Sequence, residues 1–135
     1  MTKTSAIAIQ IVTGDARPIF RQIVDGIRKE IALDNLKAGS KLPSVRGLAM
    51  QLGINANTVA KAYSELTTQG LIESRKGLGL FVTETKQMLS EQEQRKRLID
   101  ASKQFVNEVM YLDFTAEEIT DYVLTELQQL KTTRE

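Results

Sequence analysis

Short strand-like runs and helical periodicity alternate along this 135-residue chain. Residues 5–12 are β-branched and nearly continuously apolar, which predicts a strand, and Thr13-Gly14-Asp15 breaks it. Pro18 stands where a first helical residue belongs, because the N–H it lacks has no partner there. Phe20, Ile23, Val24, Ile27 and Ile31 then recur at helical spacing with Arg21, Asp25, Arg28 and Lys29 outside. This predicts an amphipathic core helix ending between Leu33 and Leu36. Gly39 opens a turn, Leu42 is an apolar anchor, Pro43 forces the residue before it out of helix, and Ser44 is a good N-cap. The next helix therefore begins at Val45, buries Leu48, Ala49 and Leu52, and stops at Gly53, which can take a positive φ. Asn55 caps a third helix, in which Val59, Ala62, Tyr63 and Leu66 make the core stripe. Ala56, Asn57, Ala60, Lys61 and Ser64 are left on the opposite surface.

Gly70 ends that helix as the residue after its C-cap. Residues 71–83 read as a hairpin turned at Gly77 and Gly79, with Arg75 and Lys76 at its tip. Beyond Glu84 the helical period returns: Leu98, Ala101, Phe105, Val109 and Leu112 form one stripe after a polar start near Ser90. Thr115 and Glu118 then make a capping box before Ile119, Tyr122, Val123, Leu127 and Leu130. No internal repeat, low-complexity segment or long Pro/Gly linker interrupts the chain. The expected fold is mostly α (α+β). A winged helix-turn-helix domain at 16–84, preceded by a strand at about 5–12, is followed by a short two-helix C-terminal tail at 85–135.

Composition narrows the chemistry. At 41% hydrophobic and 26% charged the chain is globular in character. It has no cysteine and no histidine, which removes thiolate metal sites, disulfides, cysteine nucleophiles and the commonest general base together. No catalytic, metal or cofactor site is expected. Neither a transmembrane helix nor a secretory signal is legible, so no membrane partner and a cytoplasmic location are expected. Net charge is only +1, but it is unevenly spread: residues 1–36 carry +1, residues 37–83 carry +4 and residues 84–135 carry −4. The basic third coincides with the expected helix-turn-helix, as a surface that faces a polyanion requires.

A helix reads the major groove when its outward face is narrow and polar and its first turn reaches base edges or phosphates. Asn57, Thr58, Lys61 and Ser64 fit that geometry. Asn57 suits bidentate pairing with adenine, Lys61 a guanine or a phosphate, and Thr58 a phosphate. Arg46, on the outward side of the preceding helix, can pair with guanine or clamp a phosphate. The segment Gly77-Leu78-Gly79 is a weak match to a nucleotide-binding loop, because a strand and not a helix N-terminus follows it.

The stretches Gly39-Ser40-Lys41-Leu42-Pro43-Ser44-Val45-Arg46, Asn55-Ala56-Asn57-Thr58-Val59-Ala60-Lys61-Ala62-Tyr63, Gly70-Leu71-Ile72-Glu73 and Arg75-Lys76-Gly77-Leu78-Gly79-Leu80-Phe81-Val82 resemble the GntR family of bacterial transcription regulators. The likeness spans residues 16–84. The helical tail is similar to that of the YtrA subfamily, which lacks a large effector domain and dimerises through two C-terminal helices. The resemblance implies DNA contacts at Ser44, Arg46, Asn57, Thr58, Lys61, Lys76 and Gly77, and control of neighbouring transporter genes. Two departures stand out. Gly47 replaces a polar residue, so Ser44 loses its reciprocal cap and the helix start is weaker by ~0.5–1 kcal/mol. Leu78 and Leu80 replace residues usually polar in the wing, which favours packing against the domain over entry into the minor groove.

The tail carries more apolar surface than a two-helix hairpin can bury against itself: Phe105, Val109, Met110, Leu112, Phe114, Tyr122, Val123, Leu127 and Leu130. This predicts a homodimer interface, the other reading being helices that fold back on the same chain. The expected function is a homodimeric, sequence-specific regulator of double-stranded DNA at a palindromic operator. A repressor is expected, since an operator-bound dimer blocks polymerase without further machinery. A winged-helix module that binds protein without specific DNA binding is the alternative. An enzyme has no support in the residues. A small-molecule effector is left open, because no cluster of converging polar residues marks its pocket.

Overall fold

The computed structural model describes residues 4–84 and 90–134, with side chains of the last helix described through residue 130. Two compact units divide within 85–89, so the first residues assigned to the tail lie outside the described residues. The first unit holds α1 (Ile19–Ala32), α2 (Val45–Leu52), α3 (Ala56–Thr68), β1 (Ile72–Arg75) and β2 (Gly79–Val82). The second holds α4 (Glu91–Val109) and α5 (Ala116–Arg134).

Helix ends follow the local chemistry. Pro18 lies one place further out than the sequence predicts: it is the N-cap of α1, and its carbonyl accepts the N–H groups of Arg21 and Gln22. α1 stops at Ala32, short of the expected Leu33. Asp34 takes φ 61, a left-handed turn rare outside glycine, and the chain beyond it returns to bury Leu36. Ser44 Oγ accepts the Gly47 N–H at 2.9 Å, so the forward half of the α2 cap is made. Gly53 (φ 67) reverses the chain and lets the Ile54 N–H reach the Ala49 carbonyl at 3.0 Å. Asn55 Oδ1 then accepts the Asn57 N–H at 2.7 Å to start α3. At the far end of α3 the N–H groups of Gly70 and Leu71 bond the carbonyls of Thr67 and Leu66, a Schellman closure that requires the positive φ of Gly70.

The core of this unit sits where α1 and α2 cover α3 and the base of the hairpin. Ile23, Val24, Ile27, Leu36, Leu42, Leu48, Val59, Leu66, Ile72 and Val82 are all buried in it. β1 and β2 pair antiparallel with Ile72 opposite Val82 and Arg75 opposite Gly79. Residues 39–42 add a third, strand-like segment beside β2 that the sequence did not reveal: the N–H groups of Gly39 and Leu42 donate to the Val82 and Leu80 carbonyls, and the Val82 N–H donates to the Ser40 carbonyl.

The expected strand at 5–12 is not a ladder strand. Its pairing is confined to a bridge between Thr4 and Lys41 and a bond from the Ser5 N–H to the Lys41 carbonyl. The segment it meets, paired with β2 on its other side, is short and ends at Pro43, which has no N–H to offer. Side-chain amides replace the ladder. Gln51 Nε2 donates to the Ile7 carbonyl at 2.9 Å, while buried Gln22 accepts the Val12 N–H at 2.8 Å and donates to the Val12 and Arg17 carbonyls. Ile7 is buried and Ile9 and Ile11 half-buried, so the alternating pattern marks a face laid on α1. Gly26 makes room for it, since a Cβ there would lie 3.1–3.3 Å from the Ile9 side chain.

In the second unit Ser90 Oγ accepts the Glu93 N–H at 3.1 Å, and Thr115 Oγ1 accepts the Glu118 N–H at 3.1 Å while its hydroxyl donates to Glu118 Oε1. The caps fall where the sequence predicts. α4 ends at Val109, however, so Leu112 lies in the connecting turn and not on the helical stripe. Among the described residues α4 and α5 do not pack along one another, so the expected two-helix hairpin does not close. No described helix is long and apolar enough to cross a membrane.

Candidate nucleic-acid interface

α3 presents two opposite surfaces. Val59, Ala62, Tyr63 and Leu66 are buried, and Asn57, Ala60, Lys61 and Ser64 are exposed. Thr58 is half-buried at the start of the helix. Ala56, expected on the open surface, is half-buried against the core, because the turn at Gly53 brings Ile54 and α2 over it.

The first turn of α2 is held beside this surface by Tyr63, whose hydroxyl donates to the Pro43 carbonyl at 2.9 Å. Burial pushes the Tyr63 phenol far above its ordinary pKa, so it stays a neutral donor. Ser44 and Arg46 follow directly. Ser44 is exposed but spends its oxygen on the α2 cap. Arg46 is exposed, makes no ion pair among the described residues, and lines a shallow groove with Ala49, Met50, Gly53, Ile54 and Ala56.

On its other side α3 is fastened to α1. Arg21 and Glu65 form a bidentate pair at 2.7 and 2.8 Å, and Lys61 Nζ lies 3.9 Å from the centre of the Phe20 ring. Lys61 is exposed yet already engaged, a cation resting on a π-face. These are the residues that sequence reasoning missed. Arg21 read as an outward charge, and nothing along the chain pairs it with a residue 44 positions away.

The wing differs from expectation at its tip. Arg75 is the last residue of β1; it pairs with Glu73 at 2.9 Å and lies 4.4 Å above the Phe81 ring. Phe81 is buried beneath it, so packing and pairing draw the guanidinium back from the turn. Lys76 and Gly77 occupy the turn itself, with Gly77 at φ 77. Leu80 packs against the core while Leu78 is 61% exposed, so the apolar wing residues part company.

The tail residues expected at an interface are open. Phe105 (40%), Tyr122 (71%), Val123 (37%) and Leu127 (57%) are exposed, Val109 is half-buried and Leu112 is exposed in the turn. Among the described residues no cluster of acidic side chains is arranged to hold a metal ion.

A helix pair joined by a tight glycine turn, an open polar stripe on its second helix, and a two-stranded hairpin behind it define a winged helix-turn-helix. Residues 20–82 match the model of the bacterial regulatory proteins, gntR family. The chain is 31% identical over 115 residues to the HTH-type transcriptional repressor YtrA of Bacillus subtilis, covering 85% of this chain and 88% of that one. A transcriptional antiterminator from Listeria monocytogenes EGD-e has a similar structure, with TM-score 0.79 and 31% identity over 94% of each chain. The AraR DNA-binding domain in complex with operator ORX1 matches with TM-score 0.51 and 26% identity, over 56% of this chain and 96% of that one. The chain belongs to the GntR family and is a DNA-binding transcriptional regulator of that type.

Proposed function

We propose that this protein is a homodimeric repressor, regulatory and not catalytic, that binds a palindromic operator in the cytoplasm. The reading assigns base contacts to Arg46 and Asn57. Ser44, Thr58, Lys61 and Ser64 take supporting contacts, and Lys76 and Gly77 take the backbone contacts of the wing. Residues 16–84 form the DNA-binding domain and 85–135 the dimerisation tail, with Phe105, Val109, Leu112, Tyr122, Val123 and Leu127 at the interface. The observation that carries it is the contrast within one chain: an open basic and amide stripe on a module with a closed core, and two helices none of whose described apolar side chains is fully buried. One recognition helix spans few base pairs, and phosphate contacts are blind to sequence, so selectivity calls for two modules on a two-fold site.

The test joins mass and binding. Size-exclusion with light scattering should give twice the chain mass, and gel shifts should show preference for the upstream region of the protein's own operon over random duplex, with affinity falling steeply in salt. A monomer, or equal binding to both duplexes, would sink the proposal.

A further inference from the structure

The open surface of α3 is divided lengthwise. One edge is committed to α1 through Lys61 on Phe20 and Glu65 on Arg21. The other edge runs from half-buried Ala56 to exposed Ala60, one turn further on, and borders the groove lined by Arg46 and Met50. Ala56 and Ala60 on that edge, and Met50 of α2 across the groove from Ala56, present methyl groups and a thioether and no hydrogen-bonding group of useful strength. Met50 is 83% exposed, beside a guanidinium that has no partner among the described residues. A ligand matched to this edge carries an apolar group next to groups that Arg46 and Asn57 can bond.

B-DNA offers one apolar group in its major groove, the C5-methyl of thymine, set among the donors and acceptors of neighbouring bases. Resting on the assignment of α3 as the reading helix, we infer that Ala60 is a specificity-determining residue that packs on a thymine methyl. Asn57, one turn before it, addresses the adjacent base pair, and Met50 shields the contact from water. A longer or charged residue at position 60 would displace the methyl or meet it with an unsatisfied polar group, so alanine favours thymine over cytosine, which has no methyl.

The test uses the full chain. A random duplex library yields a bound consensus, and each of its thymines is replaced in turn by deoxyuridine, which lacks only the methyl. One thymine in each half-site should lose about fourfold in affinity on this change, the worth of one buried methyl. In Ala60→Gly and in Ala60→Gln that sensitivity should vanish while the response at every other thymine stays. Because each comparison sets two duplexes against one protein sample, partial unfolding of the glycine variant cancels. A wild-type protein indifferent to every deoxyuridine, or a sensitivity that survives at the same thymine in either variant, would overturn the inference. A library that returns no consensus would instead overturn the assignment of the reading helix.

Discussion

Leu66 and Leu127 are both leucines on apolar helical stripes, yet the first is 0% exposed and the second 57%. The difference holds for the regions around them. The first unit closes α1, α2, α3 and the hairpin over one core, whereas α4 and α5 have no fully buried residue between 90 and 130 and do not cover one another. Helical periodicity therefore states which face needs cover and leaves the identity of the cover unstated. In the first unit the cover is intramolecular. In the second, a second copy of the chain is the proposed cover.

The largest expected effect breaks the contrast from the core side. Leu66→Ala should cost about 2–5 kcal/mol in a urea melt, because it leaves a cavity in the buried cluster of the first unit. Leu127→Ala should leave the same transition in place, and equal costs for the two would show that both leucines are packed alike. Next comes the tail: Val123→Glu combined with Leu127→Glu should halve the mass seen by light scattering and weaken binding to a two-half-site duplex by about a hundredfold. The urea transition of the first unit should be unchanged. A dimer that survives both charges would place the interface elsewhere.

Smaller effects sharpen the picture of the module. Arg46→Ala or Asn57→Ala should lose about 1–3 kcal/mol in fluorescence anisotropy on the preferred duplex and relax base preference at one position. An equal loss on random DNA would demote both residues to phosphate contacts. Lys76→Ala should weaken all duplexes alike and lower the slope of log affinity against log salt by about one. The smallest change is Ser44→Ala, about 1 kcal/mol in thermal stability from the lost α2 cap. A variant as stable as the parent would show that the cap contributes nothing without its reciprocal partner.

Much of this fold was legible because its boundaries are local chemistry. Ser44, Asn55, Ser90 and Thr115 cap helices where capping residues belong, and Gly53 and Gly70 reverse the chain where a positive φ is needed. The open stripe of Asn57, Lys61 and Ser64 followed from helical period alone. What escaped were relations between distant segments. The apolar run at 5–12 has strand composition, but pairing depends on a partner edge, and the one it meets at Lys41 is cut short by Pro43. Arg75 has the right type for a wing tip, but Glu73 and Phe81 hold it back. Lys61 reads along the chain as an open cation on the outward stripe, and only the approach of α1 puts Phe20 beneath its ammonium.

The order of residues alone determined the elements, their caps, the glycine turns and the concentration of positive charge in the middle third, since each depends on neighbours within a few positions. Tertiary structure decided which cations are already engaged, how Gln22, Gln51 and Gly26 seat the N-terminal segment, and that among the described residues α4 and α5 do not pack along one another. Those outcomes depend on burial and on distances between groups far apart in the chain. A linear pattern carries neither quantity.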